Sequence, residues 1–148
     1  MDFVVDTLSG KHEYKPEDII SFQSGIPGFK DQKSFIVVEI EESPFKYLQS
    51  TDLAELSFVI VSPFDFFPEY EFDLSDDMRA NLHIEDEADL LVFNIVSIRD
   101  ELSSATVNLS APLIINTKNR LGVQYILDNG TYSIRQPLFS SLLEARRG

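Results

Sequence analysis

Few side chains in this sequence can do bond-making chemistry, and they are not grouped to do it. There is no cysteine, which removes thiolate metal sites, cysteine nucleophiles and disulfides together. His12 and His83 are the only histidines. Neither sits in a His-Glu-x-x-His pair, and no Gly-x-Ser-x-Gly elbow accompanies them. Asp18 and Glu39 could in principle act as a hydrolytic carboxylate pair, but among 25 acids some pairing arises by chance. Glu85-Asp-Glu-Ala-Asp89 offers hard oxygen ligands, yet lacks the alternating ligands, central glycine and terminal glutamate of a calcium loop. It reads as a solvated acidic turn. No phosphate loop is present, and Gly25-x-x-Gly28 is too short for one. The expectation is a protein without catalytic residues, metal or cofactor.

The chemistry that is concentrated is charge beside aromatic surface. Ten carboxylates fall between Pro63 and Asp89, where Arg79 is the only base, so this stretch carries −9 of the net −13. Residues 1–62 carry −6 and residues 90–148 carry +2. Phe64, Phe66, Phe67, Tyr70, Phe72 and Leu74 are interleaved with the acids. Such a surface suits a basic partner, with charge for steering and aromatics for contact. The candidate contact residues are Glu69, Tyr70, Glu71, Asp73, Asp76 and Asp77, with Phe66 and Phe67 as possible interface aromatics or as core plugs. The same acids are compatible with plainer roles: Glu71 and Asp73 as the wet face of an edge strand, Asp76 and Asp77 as helix N-terminal acids.

The elements that must position these residues are mostly strands. Runs rich in β-branched and aromatic residues, bounded by turn residues, occur at 3–5, 18–22, 34–40, 45–49 and 56–61. Tyr70-Glu-Phe-Asp-Leu74 alternates and predicts a strand, followed by strands over 89–98, 105–109, 113–116, 121–127 and 131–135. Asp128-Asn-Gly130 predicts a hairpin between the last two. Ser75 followed by Asp76 and Asp77 predicts a short helix to Leu82, and Phe139–Arg147 a second. Gly25-Ile-Pro-Gly-Phe29 predicts a rigid corner with Ile26 and Phe29 packed inward. The fold expected is all-β, a small antiparallel β-barrel or sandwich with one or two short helices, in one domain over residues 1–148.

A sequence pI near 4.4 disfavours direct nucleic-acid binding, which needs basic residues to release counterions, and anionic membrane surfaces likewise. No apolar run reaches the roughly 18–20 residues of a spanning helix. Met1–Asp6 has no basic and apolar blocks of a secretion signal, so a soluble cytoplasmic protein is expected.

Four segments carry a family resemblance: Gly25-Ile-Pro-Gly-Phe29, Pro44-Phe-Lys-Tyr-Leu-Gln-Ser50, the stretch from Pro63 through Pro68-Glu-Tyr-Glu71 to Leu74, and Thr106-Val-Asn-Leu-Ser-Ala-Pro-Leu-Ile-Ile-Asn116 completed by Gln124. In that order and spacing they resemble the FliW family of flagellar assembly factors, from Phe22 to about Pro137. The resemblance implies a non-enzymatic β-barrel-like protein. It also implies two partners: a CsrA-type RNA-binding translational regulator, which such proteins antagonise, and flagellin. Within the resembling region, Asn108, Pro112, Asn116 and Gln124 read first as structural residues. The rival readings are a flagellin-specific chaperone that touches no regulator, and a small barrel enzyme using a carboxylate pair.

Overall fold

A computed structural model describes residues 3–7, 10–127 and 130–139. Eleven strands and one helix follow in chain order within these residues. They are β1 (Phe3–Thr7), β2 (Gly10–Tyr14), β3 (Ile20–Ser21), β4 (Ser34–Glu39), β5 (Phe45–Ser50) and β6 (Ser57–Val61). After α1 (Asp76–Asn81) come β7 (Leu90–Ser97), β8 (Thr106–Val107), β9 (Leu113–Asn116), β10 (Leu121–Gln124) and β11 (Gln136–Pro137).

Seven strands close into a barrel in the order β7, β6, β5, β4, β3, β10, β9 and back to β7. Closure leaves these strands no free edge along the ring. The strand that makes it possible is β7, which pairs with β6 along one edge and divides its other edge between two partners. Leu90 to Phe93 pair with β9 and close the barrel, while Val96 and Ser97 pair with β8, which leads outward to β11. The molecule is therefore a barrel with a short sheet arm. Every pairing is antiparallel except β3 with β10, where Leu121 lies opposite Ser21 in parallel register. The all-antiparallel expectation fails only there.

Alternation along the strands sorts the core into clusters. Phe35, Leu48, Ile60, Phe93, Leu113 and Ile115 belong to one cluster with Ile20, Phe22 and Ile26. On β4, Ile36 and Val38 point the other way and are covered by Tyr14 of β2. That double burial explains the unbroken apolar run of β4. On β6, Val61 belongs to a third cluster with Tyr70, Val96, Val107, Leu109 and Leu138, and Phe66, Phe67 and Phe72 pack against it.

Two of the resembling segments have structural roles. The Phe29 N–H donates to the Ile26 carbonyl at 2.7 Å, with Pro27 and Gly28 between them and Gly28 at φ +90°. This is the geometry of a type II turn, which needs positive φ at its third residue. Ile26 is buried as expected, but Phe29 stays 41% exposed and meets Phe58 in a T-shaped arrangement (ring centroids 5.6 Å apart). The Gln49 side chain is fully buried and its amide donates to the Ser50, Ala54 and Leu56 carbonyls, stapling the loop after β5.

Two expected elements differ. Residues 70–74 are extended but form no ladder. Residues 131–135 are not a strand, because Tyr132 turns onto Tyr70 and Ser133 accepts from the Leu109 N–H, leaving only β11 to pair, with β8. The helix expected over 139–147 lies beyond Phe139 outside the described residues, as do Asp128 and Asn129 of the expected hairpin turn.

Candidate protein-binding face

The acidic stretch is held on the molecule by its aromatics. Pro63 opens a single 3-10 turn, Pro63–Asp65, that follows β6 directly. The next aromatics then land on the third cluster. Phe66 meets Phe45 and Phe139 at ring-centroid distances of 6.4 and 6.1 Å. Tyr70 is only 4% exposed, with Tyr132 at 4.6 Å and Phe72 at 5.6 Å. Full burial of such a ring is worth roughly 1.5–3 kcal/mol and half-burial correspondingly less, and together they hold a segment that has no sheet partner.

Glu71 and Ser75 of this segment find hydrogen bonds in tyrosine hydroxyls. The Tyr132 hydroxyl accepts from the Glu71 N–H at 3.1 Å and donates to the Glu71 carbonyl at 3.0 Å. The Tyr125 hydroxyl accepts from the Ser75 N–H at 3.2 Å. Side-chain oxygens thus stand in for a neighbouring strand, which is the physical reason alternation is present without a ladder. Buried Tyr70 and half-buried Phe72 and Leu74 point in; Glu71 and Asp73 point out.

Beneath this segment lies a residue that sequence reasoning passed over. Asn94 interrupts the apolar run of β7 and is completely buried. Its amide donates to the Asn108 carbonyl at 2.8 Å and, more weakly, to the Tyr70 hydroxyl at 3.4 Å. The Tyr70 hydroxyl donates to the Leu109 carbonyl at 2.6 Å. Desolvation pushes the Tyr70 pKa up to about 12, against the opposing Asn94 hydrogen bond. A lone amide in an otherwise apolar strand was the available signal.

The helix follows as expected. Ser75 caps α1 by accepting from the Met78 N–H at 3.2 Å, and Asp76 and Asp77 occupy the first turn. Asn116 ties the end of α1 to the barrel, its amide donating to the Leu82 carbonyl at 2.9 Å. Gln124 donates to the Ala111 carbonyl, and Asn108 accepts from the Ser110 N–H. All three therefore hold loops.

Ion pairing divides the acidic stretch into two halves. Arg79 is salt-bridged to Glu87, and Lys118 to Glu85 at 3.0 Å; that hydrogen bond raises the Lys118 pKa. Asp86 accepts from the Ala88 N–H, so residues 85–89 form a locally satisfied turn. By contrast Glu69, Glu71, Asp73, Asp76 and Asp77 are all exposed, and none makes an ion pair among the described residues. Of the aromatics, Phe66 and Phe67 are half-buried supports, and Phe64 is the exposed one at 46%. Tyr70, placed among the contact candidates by its position, lies under the face instead of on it.

Chemistry of other kinds finds no assembled site here. Among the described residues no three of His, Cys, Asp or Glu are grouped to hold a metal ion, and no helix is long and apolar enough to cross a membrane. A hollow of about 470 Å³ beside Ile20, Leu91 and Phe93 has Glu39 as its single lining carboxylate. Asp18 is not part of it; its carboxylate accepts from the Lys15 N–H.

The sequence profile described as FliW protein matches residues 4–138. The chain belongs to the FliW family. A flagellar assembly factor FliW of Clostridium novyi (strain NT) is 47% identical over 128 residues, covering 86% of this chain and 90% of the relative. That of Desulfitobacterium hafniense (strain Y51) is 46% identical over 138 residues, covering 93% and 91%. A crystal structure of the flagellar assembly factor FliW superposes with a TM-score of 0.86 at 37% identity, covering 95% of this chain and 99% of that one. The barrel expected from sequence is thus the FliW barrel. FliW is a family of flagellar assembly factors and not of enzymes, which sets aside the carboxylate-pair reading.

Proposed function

We propose that this chain serves flagellar assembly as a non-catalytic adaptor in the cytoplasm. Its acidic face receives the basic face of a CsrA-type translational regulator, and flagellin binding releases that regulator. The observation that carries this reading is the row of five exposed carboxylates at Glu69, Glu71, Asp73, Asp76 and Asp77, none of them ion-paired among the described residues. An RNA-binding regulator must present lysines and arginines to phosphates, and this row is of opposite sign. Steering between the two acts over roughly 8 Å at physiological salt. The aromatic bed supports the reading further, because it fixes the carboxylates before a partner arrives and so lowers the ordering cost of binding. Neither nucleic acid nor membrane is a direct partner in this scheme, and residues 1–148 act as one domain.

A partner switch requires reciprocal coupling: flagellin must weaken regulator binding, and the regulator must weaken flagellin binding by the same factor. Titration calorimetry tests this in both orders. The expected result is lower regulator affinity for the flagellin-saturated protein, and the mirror-image loss for flagellin. Equal flagellin affinity for the free and the regulator-bound protein would contradict the switch. Absence of any regulator binding would leave a flagellin chaperone.

A further inference from the structure

The third cluster leaves an apolar strip part-covered beside the acidic segment. Directly opposed residues of an antiparallel pair share one face of the sheet, as do alternate residues of one strand. Phe45 lies opposite Val61, and Val59 opposite Val96, so all four face away from Ile60 and the barrel interior. Val61 and Val96 are buried in the cluster that holds Tyr70 and Leu138. Phe45 and Val59 are only half-buried, as is Phe66, whose ring lies 6.4 Å from that of Phe45.

The chain itself arrives at this strip. Leu138 is buried and its N–H donates to the Ala105 carbonyl at 3.0 Å, which fixes the backbone there. The next ring, Phe139, meets Phe66 edge-on at 6.1 Å. Ser140-Ser-Leu-Leu-Glu-Ala-Arg-Arg-Gly148 follows, outside the described residues. In the helix expected there, Phe139, Leu142 and Leu143 fall at i, i+3 and i+4 and form one apolar stripe. Eight helical residues span about 12 Å, enough to pass from Phe139 across Phe66 to Phe45. A helix so short is marginal in water without an apolar host. Charge agrees with that host. The segment carries Arg146 and Arg147 against Glu144, while Glu42, before Phe45, and Asp65 and Glu69, either side of Phe66, are exposed acids with no ion pair among the described residues. Lys46 adjoins Phe45 in the chain but lines the hollow beside Leu91 and Phe93 on the opposite side of the strand.

We propose that residues 140–147 fold back as a helical strap over Phe45, Val59 and Phe66, with Leu142 and Leu143 inward and Arg146 and Arg147 towards Asp65 and Glu69. Glu69 is the first of the five carboxylates offered to a basic partner, so the strap competes with that partner. The docking stands by itself; the competition rests on the regulator reading.

Methyl NOE spectra of the full chain test the docking. Cross-peaks from the Leu142 and Leu143 methyls to the Phe45 and Phe66 rings are expected. Leu142→Ser with Leu143→Ser should shift the Phe45, Val59 and Phe66 signals and leave those of Ile114 and Ile115 in place. An absence of these cross-peaks, or cross-peaks to another surface instead, would overturn the docking. So would cross-peaks seen only between differently labelled chains, because a second copy would then supply the occupant. A strap docked about nine-tenths of the time lowers partner affinity about tenfold, so the double serine variant should bind a CsrA-type regulator about tenfold more tightly. Equal affinity of the two forms would overturn the competition. Binding by neither form would defeat the regulator reading and the competition with it, while the cross-peaks alone decide the docking.

Discussion

Tyr70 shows how a residue can matter to a binding face without being on it. Its ring fills the cluster under the acidic segment, and its hydroxyl joins that segment to the Leu109 carbonyl. Tyr70→Phe leaves that carbonyl without its partner, and an unsatisfied buried group costs about 1–3 kcal/mol; denaturant unfolding measures it. The pH dependence follows from burial. Because the folded pKa is raised to about 12, the folded chain keeps a proton that the unfolded chain loses near the ordinary tyrosine value. The contribution is complete below pH of about 10 and falls as pH rises towards about 12. Unfolding free energy measured across that window should decline less steeply in Tyr70→Phe than in the parent. The sequence made Tyr70 stand out, as an aromatic between two glutamates. It could not show the inward orientation, since the partner carbonyl is 39 positions away in the chain.

At the level of elements, the extended segment 70–75 is where sequence and structure part most usefully. Alternation of Tyr70, Phe72 and Leu74 with Glu71 and Asp73 correctly reported which side chains face in. Alternation says nothing about what the backbone bonds to, and here two tyrosine hydroxyls replace a strand. Tyr132→Phe should therefore speed amide hydrogen exchange at Glu71, and Tyr125→Phe at Ser75. Global stability should change by only about 1 kcal/mol or less, because these hydrogen bonds are exposed. Exchange rates that stay unchanged would mean the hydroxyls do not hold the segment. Strands β4 to β7 and helix α1 were legible because their signals are local: contiguous β-branched residues in the first case, a serine cap with first-turn acids in the second.

For the molecule as a whole, a closed β-barrel could be read from many short strands at regular spacing, but its connections could not. The parallel meeting of β3 with β10, and the division of β7 between barrel and arm, depend on register between residues far apart in sequence. The charge division was legible as numbers along the chain. The fold gives it location, placing on the 69–77 segment five exposed carboxylates that make no ion pair among the described residues. It also explains why Glu85 and Glu87 are poorer candidates for partner contact: each already has a cation. Steering of a basic regulator by the 69–77 carboxylates is read out by stopped-flow association with a CsrA-type protein. Glu71→Lys with Asp73→Lys should lower the association rate by about tenfold at low ionic strength and flatten its salt dependence, with Glu85→Lys and Glu87→Lys having a smaller effect. An association rate and salt slope unchanged by the Glu71 and Asp73 reversals would contradict it.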